Sequence, residues 1–137
     1  MDAKNRVTIP SEWLEEDEGG EILWIVPNPK QNYLRVMPPA EFSKQEAILE
    51  EKLPPGKARE DAKRYFYSIA RQVETDKQGR IVLAADLCAT AGLSASVTFV
   101  GVKTKFEIWD AAKWSAASNP ETALNDETRN ALEAIGL

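Results

Sequence analysis

The chain has 137 residues, of which 43% are hydrophobic and 28% charged, values that exclude a disordered or fibrous protein. Its net charge of −5 argues against a protein that coats nucleic acid through a broad basic surface. With no histidine and one cysteine, Cys88, it offers no disulfide framework, no Ser-His or Cys-His nucleophile pair and few zinc ligands. No apolar run is long enough to span a membrane. Because a single cysteine allows no disulfide within the chain, we expect a reducing, cytoplasmic setting.

The first segment combines a polar loop with a short β-prone run. Three residues separate Asp2 from Arg6, residues 7–9 predict a strand, and residues 11–15 predict a short helix. Four consecutive acids follow at residues 15–18, and could be imagined as a metal or acid–base site. Such a run before two glycines is more typical of a solvated loop.

Two strands and two helices are predicted next. The strands are residues 22–26 and 33–37, separated by a loop with two prolines. After the proline pair 38–39, an apolar stripe at helical spacing predicts one helix, and a second helix follows the break at residues 53–56. The two stripes are Phe42, Ile48, Leu49 and Leu53, and then Ala58, Ala62, Phe66 and Ile69.

The second half repeats the order of the first. A strand at residues 72–75 leads into Asp76, a helix over residues 85–91 ends at Gly92, and the tail 125–137 predicts a short terminal helix. The remaining predicted strands are residues 81–83, 97–102 and 106–109, the last two joined by a tight turn at residues 103–105.

Residues 2–10 match residues 76–84 at a constant offset of 74, which indicates an internal duplication. Each copy reads as strand, short helix, strand, turn, strand. The strand before Asp76 has no counterpart before Asp2, so we expect the first copy to lack an edge strand. We divide the single compact domain into a first repeat (1–42), a helical connector (43–69), a second repeat (70–115) and a C-terminal tail (116–137).

The duplicated feature with chemical potential is the Asp-x-x-x-Arg motif. One interpretation is structural: the aspartate caps a turn, and the arginine four residues on closes an ion pair. The other is that the loop presents Arg6 and Arg80 outward, where a planar guanidinium can bridge phosphate oxygens or the O6/N7 edge of guanine. The interpretations are compatible, because a capped loop is a stiffer platform. Lys4 and Lys77 would assist on the same loops.

The sequence resembles the MraZ family, whose two halves each resemble the AbrB/SpoVT-type swapped-hairpin DNA-binding domain. The resemblance rests on residues 2–10, 24–29, 33–38, 70–80 and 106–110. It implies an α+β fold in which the two halves form a duplicated swapped-hairpin β-barrel, pseudo-twofold within one chain, with helices packed outside.

The resemblance also implies a bacterial, nucleoid-associated transcriptional regulator. It would bind direct repeats upstream of the cell division and cell wall operon, through Asp-x-x-x-Arg loops arrayed on a ring-shaped homo-oligomer. Asn5 stands where the family's first motif usually has glycine, and it tolerates the left-handed backbone better than most residues. The implied DNA-binding residues are Arg6, Arg80, Lys4 and Lys77, and the residues that shape the loops are Asp2, Asp76, Gly79 and Asn5.

Two other classes of protein remain open. A ring-forming interaction scaffold or antitoxin-like module would bind protein rather than DNA, through its aromatic residues Trp13, Trp24, Trp109 and Trp114. An enzyme is disfavoured, because Cys88 lies in an apolar helix with no histidine to activate it. We therefore expect no catalytic residue, metal, cofactor, small-molecule substrate or membrane partner. The expected partners are double-stranded DNA and other copies of the chain.

Overall fold

Strands and helices alternate along the chain in a computed structural model that describes residues 1–16, 18–28, 30 and 32–137. The strands are β1 Arg6–Thr8, β2 Ile22–Asn28, β3 Tyr33–Met37, β4 Arg71–Glu74, β5 Arg80–Val82, β6 Val97–Val102 and β7 Lys105–Asp110. The helices are α1 Pro39–Lys52, α2 Lys57–Ile69, α3 Ala85–Ala91, α4 Ala111–Ala117, α5 Pro120–Ala123 and α6 Asp126–Ala134. The predicted α+β class is confirmed.

The strands form two antiparallel sheets. Five of them pair in the order β4-β2-β3-β7-β6, and β1 pairs with β5 in a two-stranded ribbon. The long strand β2 contains Pro27, which lies beyond the last residue paired with β4, where β2 has one neighbour and a missing N–H is tolerated. Within the described ranges the sheets do not close on themselves, so the β-barrel stays a prediction.

The main core lies between the ribbon, α3 and one face of the five-stranded sheet. Alternate strand residues point to opposite faces, so each strand contributes every second side chain to this core. Both halves of the chain supply side chains to it. Its buried members include Val7, Ile9, Leu23, Ile25, Leu34, Val36, Ile81, Leu83, Leu87, Ala91, Phe106 and Ile108.

Helices α1 and α2 cover the opposite face of β2 and β3. Phe42 of α1 is buried and stacks on Trp24 of β2, with ring centroids 4.0 Å apart and the planes nearly parallel. Phe66 of α2 stacks on the other side of Phe42, at 5.3 Å. Over the second half of this face, Trp114 of α4 contacts Trp109 of β7 edge to face at 5.2 Å. Aromatic stacking therefore fixes both helical layers to the sheet.

The ribbon has an internal twofold relation. Val7 pairs with Ile81, its own equivalent at the offset of 74, in an antiparallel register. The flanking backbone hydrogen bonds follow the same relation: the N–H of Ile9 donates to the oxygen of Gly79 at 2.9 Å, and that of Leu83 donates to Asn5 at 2.8 Å. The two copies therefore meet at a local pseudo-twofold axis through the Val7–Ile81 pair.

A second twofold pairing lies at the centre of the five-stranded sheet. Arg35 of β3 pairs with Glu107 of β7, residues that are equivalent at an offset of 72. The offset falls from 74 because residues 29–32 join β2 to β3, whereas only Lys103 and Thr104 join β6 to β7. Two strand pairings thus join residues that are equivalent in the predicted repeat.

Strand β6 has an open outer edge where the first copy was expected to lack a strand. Its equivalent β2 is flanked by β3 and β4, but β6 pairs only with β7 among the described residues. The amino group of Met1 donates to the oxygen of Ala95, as the N–H of Thr75 donates to Glu21 where β4 leads into the second motif. These two hydrogen bonds are equivalent at the offset of 74.

Most of the predicted elements are observed, with one clear difference. The helix expected over residues 11–15 is a single 3-10 turn at Ser11–Trp13, after which Leu14 is extended. No side chain caps this turn, and Trp13 is held against Phe106 with ring centroids 5.0 Å apart, so the chain turns away early. None of the described helices has both the length and the apolar character needed to cross a bilayer.

Candidate nucleic-acid interface

The first Asp-x-x-x-Arg loop is closed around the carboxylate of Asp2. Oδ1 accepts the backbone N–H groups of Lys4 and Arg6, each at 2.9 Å, and Oδ2 accepts the Nε–H of the Arg6 side chain at 2.7 Å. The backbone N–H of Asp2 donates to the oxygen of Arg6 at 3.1 Å. One carboxylate therefore sets both the turn and the direction of the arginine.

The second loop repeats this arrangement around Asp76. Its Oδ1 accepts the backbone N–H groups of Gln78 and Arg80 at 2.9 Å, and its Oδ2 accepts the Arg80 Nε–H at 2.8 Å. In addition, Nη2 of Arg80 donates to Oε1 of Gln78 at 3.3 Å. The structural interpretation of the motif, in which the aspartate caps the turn and pairs with the arginine, is thus observed in both copies.

The residue before each arginine has the left-handed backbone that the turn requires. Asn5 has φ 57° and Gly79 has φ 74°. Each also donates its N–H to the carbonyl oxygen of the motif aspartate, at 3.0 Å in both loops. Asparagine is one of the few residues with a Cβ that adopts this region readily, so the first loop keeps the geometry of the second without glycine.

The loops hold both aspartates ionised. The backbone N–H of Arg6, followed by its side chain, lowers the pKa of Asp2 to about 2. The N–H of Arg80 likewise lowers the pKa of Asp76. Because the charged form of each carboxylate accepts three hydrogen bonds, the loops stay closed at neutral pH.

The ribbon brings the two loops to one surface. The antiparallel pairing sets Arg6 opposite Val82 and Thr8 opposite Arg80, while Val7 and Ile81 face the core between them. Residues two apart on a strand share a face, so all four side chains belong to the outer face of the ribbon. We call these four residues, Arg6, Thr8, Arg80 and Val82, the ribbon face. Its arginines are diagonal neighbours, and each is continuous with its own loop.

The arginines remain accessible although their Nε atoms are engaged. The side chains of Arg6 and Arg80 are 30% and 28% exposed. With Nε bound to the aspartate, the terminal nitrogens still offer N–H donors, although one N–H of Arg80 Nη2 is directed to Gln78. Lys4 and Lys77 are exposed on the same loops. The arrangement can thus present two oriented guanidinium groups, with flexible ammonium groups beside them, to an anionic surface.

Sequence reasoning missed two members of the ribbon face and one loop residue. Thr8 and Val82 occupy equivalent positions two residues after the arginines, and both are exposed. Their signal was the alternation around Val7 and Ile81, but the strands are three residues long, too short to show which face is buried. The loop residue is Gln78, which accepts a hydrogen bond from Arg80 and stands at a position where the motif sets no residue type.

The structure also describes Cys88 and part of the acidic run, the other residues considered from sequence. Cys88 is buried, and burial raises the pKa of its thiol, the opposite of an activated nucleophile. Of the acidic run, Glu15, Glu16 and Glu18 are exposed, and residue 17 lies outside the described residues. Within that described part, no group of three or more histidine, cysteine, aspartate or glutamate residues is arranged to hold a metal ion.

Comparison with known proteins gives a consistent result. A family model described as "MraZ protein, putative antitoxin-like" matches residues 66–133. A protein of Frankia alni called "Transcriptional regulator MraZ" is 36% identical over 116 residues, which are 85% of this chain and 79% of that protein. Proteins with the same name from Acetivibrio thermocellus and Leuconostoc mesenteroides are 34% and 37% identical, covering 100% and 98% of this chain and 94% and 90% of their own lengths.

Fold and loops together define a class of duplicated α+β proteins in which each half supplies one arginine held by an aspartate. The relatives match this chain over most of their length at more than 30% identity. The chain belongs to the MraZ family.

Proposed function

We propose that this protein is a sequence-specific DNA-binding transcriptional regulator that acts in the cytoplasm on the nucleoid. Relatives that share its length are named transcriptional regulators. The observation that carries the proposal is the ribbon face, where Arg6 and Arg80 lie on one exposed surface in matching loops. Arginine held in a fixed direction suits the recognition of phosphate or guanine better than a mobile charge does.

Each loop residue has a distinct role in this proposal. The terminal nitrogens of Arg6 and Arg80 contact DNA, and Asp2 and Asp76 are positioning residues that direct the guanidinium groups. The exposed Lys4 and Lys77 neutralise phosphates on either side of the arginines. Lys4 and Lys77 are not equivalent at the offset of 74, so each loop carries its lysine at a different position. Asn5 and Gly79 supply the turn that lets the loops approach the duplex.

Assembly accounts for DNA binding by a chain with a net charge of −5. Two arginines in one subunit bind weakly, but a ring-shaped homo-oligomer that aligns several ribbons on successive direct repeats gains affinity through high effective concentration. The target repeats lie upstream of the cell division and cell wall operon.

The proposed architecture is a duplicated swapped-hairpin fold. The two modules are residues 1–42 and 70–115, the connector is 43–69, and the tail is 116–137. The supporting observations are the pseudo-twofold pairings of Val7 with Ile81 and of Arg35 with Glu107. In such a fold, strands exchanged between the modules build one surface, which explains why both arginines share the ribbon face.

Fluorescence anisotropy and light scattering together test the proposed function. Labelled duplexes would carry direct repeats from upstream of the cell division operon, and scrambled duplexes of the same composition serve as controls. We expect binding to the repeats at least 100-fold tighter than to the scrambled duplex, since specific binding typically exceeds non-specific binding by at least that factor. Light scattering should give a mass several times 15.2 kDa. Equal binding to both duplexes would contradict the proposal.

A second candidate is an antitoxin-like or scaffolding module that assembles without binding DNA. The observation in its favour is the antitoxin-like description of the matching family model. The aromatic residues it would use are engaged within the chain, because Trp13 packs on Phe106, Trp24 on Phe42, and Trp109 on Trp114. An oligomer that binds neither duplex would favour this candidate over the regulator.

A further inference from the structure

Val82 is an exposed apolar residue whose side chain contributes little to the core. It is 58% exposed, whereas its neighbours Ile81 and Leu83 are 1% and 0% exposed. Strand residues Ile22 and Val102, also among the exposed large apolar residues, are each 39% exposed. A valine so placed contributes little to the core, so its side chain is available to a partner.

The surroundings of Val82 identify the partner. It lies directly opposite Arg6 on the ribbon face, and the equivalent residue Thr8 lies directly opposite Arg80. Side chains directly opposite in an antiparallel pair have Cβ atoms about 5 Å apart. Each proposed DNA-contacting arginine therefore has one β-branched side chain beside it, pointing to the same side of the ribbon.

The major groove of DNA offers a matching pair of features. It is about 12 Å wide and admits a two-stranded β-ribbon. There, guanine presents O6 and N7 to an arginine, and thymine presents its C5-methyl group to an apolar side chain. A guanine and a thymine on neighbouring base pairs would thus be complementary to the Arg6–Val82 pair.

From this geometry we infer that Val82 is a specificity-determining residue that contacts the C5-methyl group of a thymine in the major groove, next to the base read by Arg6. The inference rests on the proposed function and specifies how the same face reads sequence. Thr8 provides a smaller contact, one methyl and one hydroxyl, at the equivalent position beside Arg80.

The difference between Val82 and Thr8 also gives the ribbon a direction. Two identical arginine–valine pairs related by a twofold axis would fit a duplex equally well in either orientation. With valine on one side and threonine on the other, one orientation places the larger apolar contact on the thymine methyl. This polarity is what a regulator of direct repeats needs, because repeats in tandem are not palindromic.

Replacing thymidine by deoxyuridine tests the contact, because it removes the C5-methyl group and leaves base pairing intact. A duplex selected by the wild-type protein from a random-sequence pool would be compared with copies that carry one such replacement each, in one repeat. We expect one position at which the wild type loses affinity about fourfold, the value for one buried methyl group. Val82→Ala should bind the two duplexes equally, whereas Val82→Thr should retain part of the difference.

Two further variants separate the contact from folding and from the proposed function. Ile48→Ala, an exposed apolar residue of α1 on the opposite face of the sheet from the ribbon, should keep the fourfold difference. Arg80→Ala should weaken binding to both duplexes alike, because it removes a different contact. Thermal unfolding should show nearly the same melting temperature for Val82→Ala as for the wild type, because the side chain is exposed.

The outcomes distinguish failure of the inference from failure of the proposed function. If the wild type binds a selected duplex and Val82→Ala keeps the thymine–uracil difference, the inference is wrong and the regulator stands. The same holds if Val82→Ala changes only the mass measured by light scattering, since Val82 would then be a contact between subunits. If no duplex is selected, both the proposed function and the inference are wrong.

Discussion

Gly19 approaches the backbone of Asp76 so closely that no side chain fits between them. A Cβ at Gly19 would lie 2.6 Å from both the carbonyl carbon and oxygen of Asp76, and 2.9 Å from the nitrogen of Lys77. Gly19 therefore packs directly against the backbone of the second arginine loop. The sequence, in which Gly19 follows a run of carboxylates, did not suggest this contact.

Gly19→Ala should disturb this loop more than Gly20→Ala. Both glycines have left-handed backbones, φ 87° and 82°, so both substitutions carry a similar cost of about 1–2 kcal/mol. Only Gly19→Ala adds a clash with backbone, because the nearest atom to a Cβ at Gly20 is Oε1 of Glu74, at 3.6 Å. We expect a lower melting temperature for Gly19→Ala and faster hydrogen exchange at the Arg80 N–H. Equal behaviour of the two variants would show that Gly19 does not support the loop.

The arginine loops show which roles of single residues can be predicted from sequence. The spacing of Asp2 and Arg6, repeated at Asp76 and Arg80, predicted a capped turn because a carboxylate reaches N–H groups two and four residues on. Asn5 was expected to replace glycine at the left-handed position, and its φ of 57° confirms this. Gly19 could not be placed beside Asp76, since the contact joins residues far apart in sequence.

At the scale of elements, one aromatic stack holds the helical layer to the sheet. Phe42 lies between Trp24 of β2 and Phe66 of α2, so it joins both helices to the central strands. The apolar stripe predicted that Phe42 lies on the buried face of α1, and Phe42 is buried. Ile48, predicted on the same stripe, is 45% exposed, because α2 covers only part of α1.

Phe42→Ala should therefore destabilise the protein strongly. Truncation of a buried phenylalanine leaves a cavity and costs about 3–5 kcal/mol. Tyr65→Ala is the matched control, because Tyr65 is on the same helical layer but 54% exposed, and its loss should cost within about 0.5 kcal/mol. Urea unfolding measures both values. A loss below 1 kcal/mol for Phe42→Ala would mean that the stack does not hold the helices.

Sequence patterns predicted well the elements fixed by local signals, and predicted poorly those fixed by distant contacts. Helix α3 was predicted with its observed bounds, because Gly92 ends it in the left-handed conformation at φ 64°. Residues 11–15 carry polar and helix-compatible side chains, yet the helix is replaced by one 3-10 turn. Packing of Trp13 on Phe106 determines the path there, and local propensity carries no information about it.

For the whole molecule, the duplication predicted from sequence explains the arrangement of the site. An offset of 74 relates the two loops, and the pairing of Val7 with Ile81 turns that repeat into a symmetric surface. The sequence could show that the loops were equivalent, but not that their strands pair with each other. For the same reason the exposure of Val82 was not predicted, because it depends on which face of a three-residue strand meets the core.

The net charge of −5 also has a different meaning for the whole molecule than for the ribbon. Acidic side chains are concentrated in the segment before β2 and along α1. The segment before β2 borders the second arginine loop, where Glu16 lines one groove together with Thr8, Lys77 and Gln78. DNA binding in this account depends on two oriented arginines in each subunit, multiplied by assembly. DNA affinity should therefore fall when one loop arginine is replaced, and should change little when an arginine elsewhere is replaced.

Comparing Arg80→Ala with Arg64→Ala on a multi-repeat duplex tests this central claim most directly. Both substitutions remove one positive charge, but Arg80 is held by Asp76 on the ribbon face, and Arg64 is exposed on α2 beside Asp61. At matched salt, we expect Arg80→Ala to weaken binding at least about tenfold, as for one charge-assisted contact, and Arg64→Ala to change it less than twofold. Equal affinities for Arg80→Ala and the wild type would contradict the account.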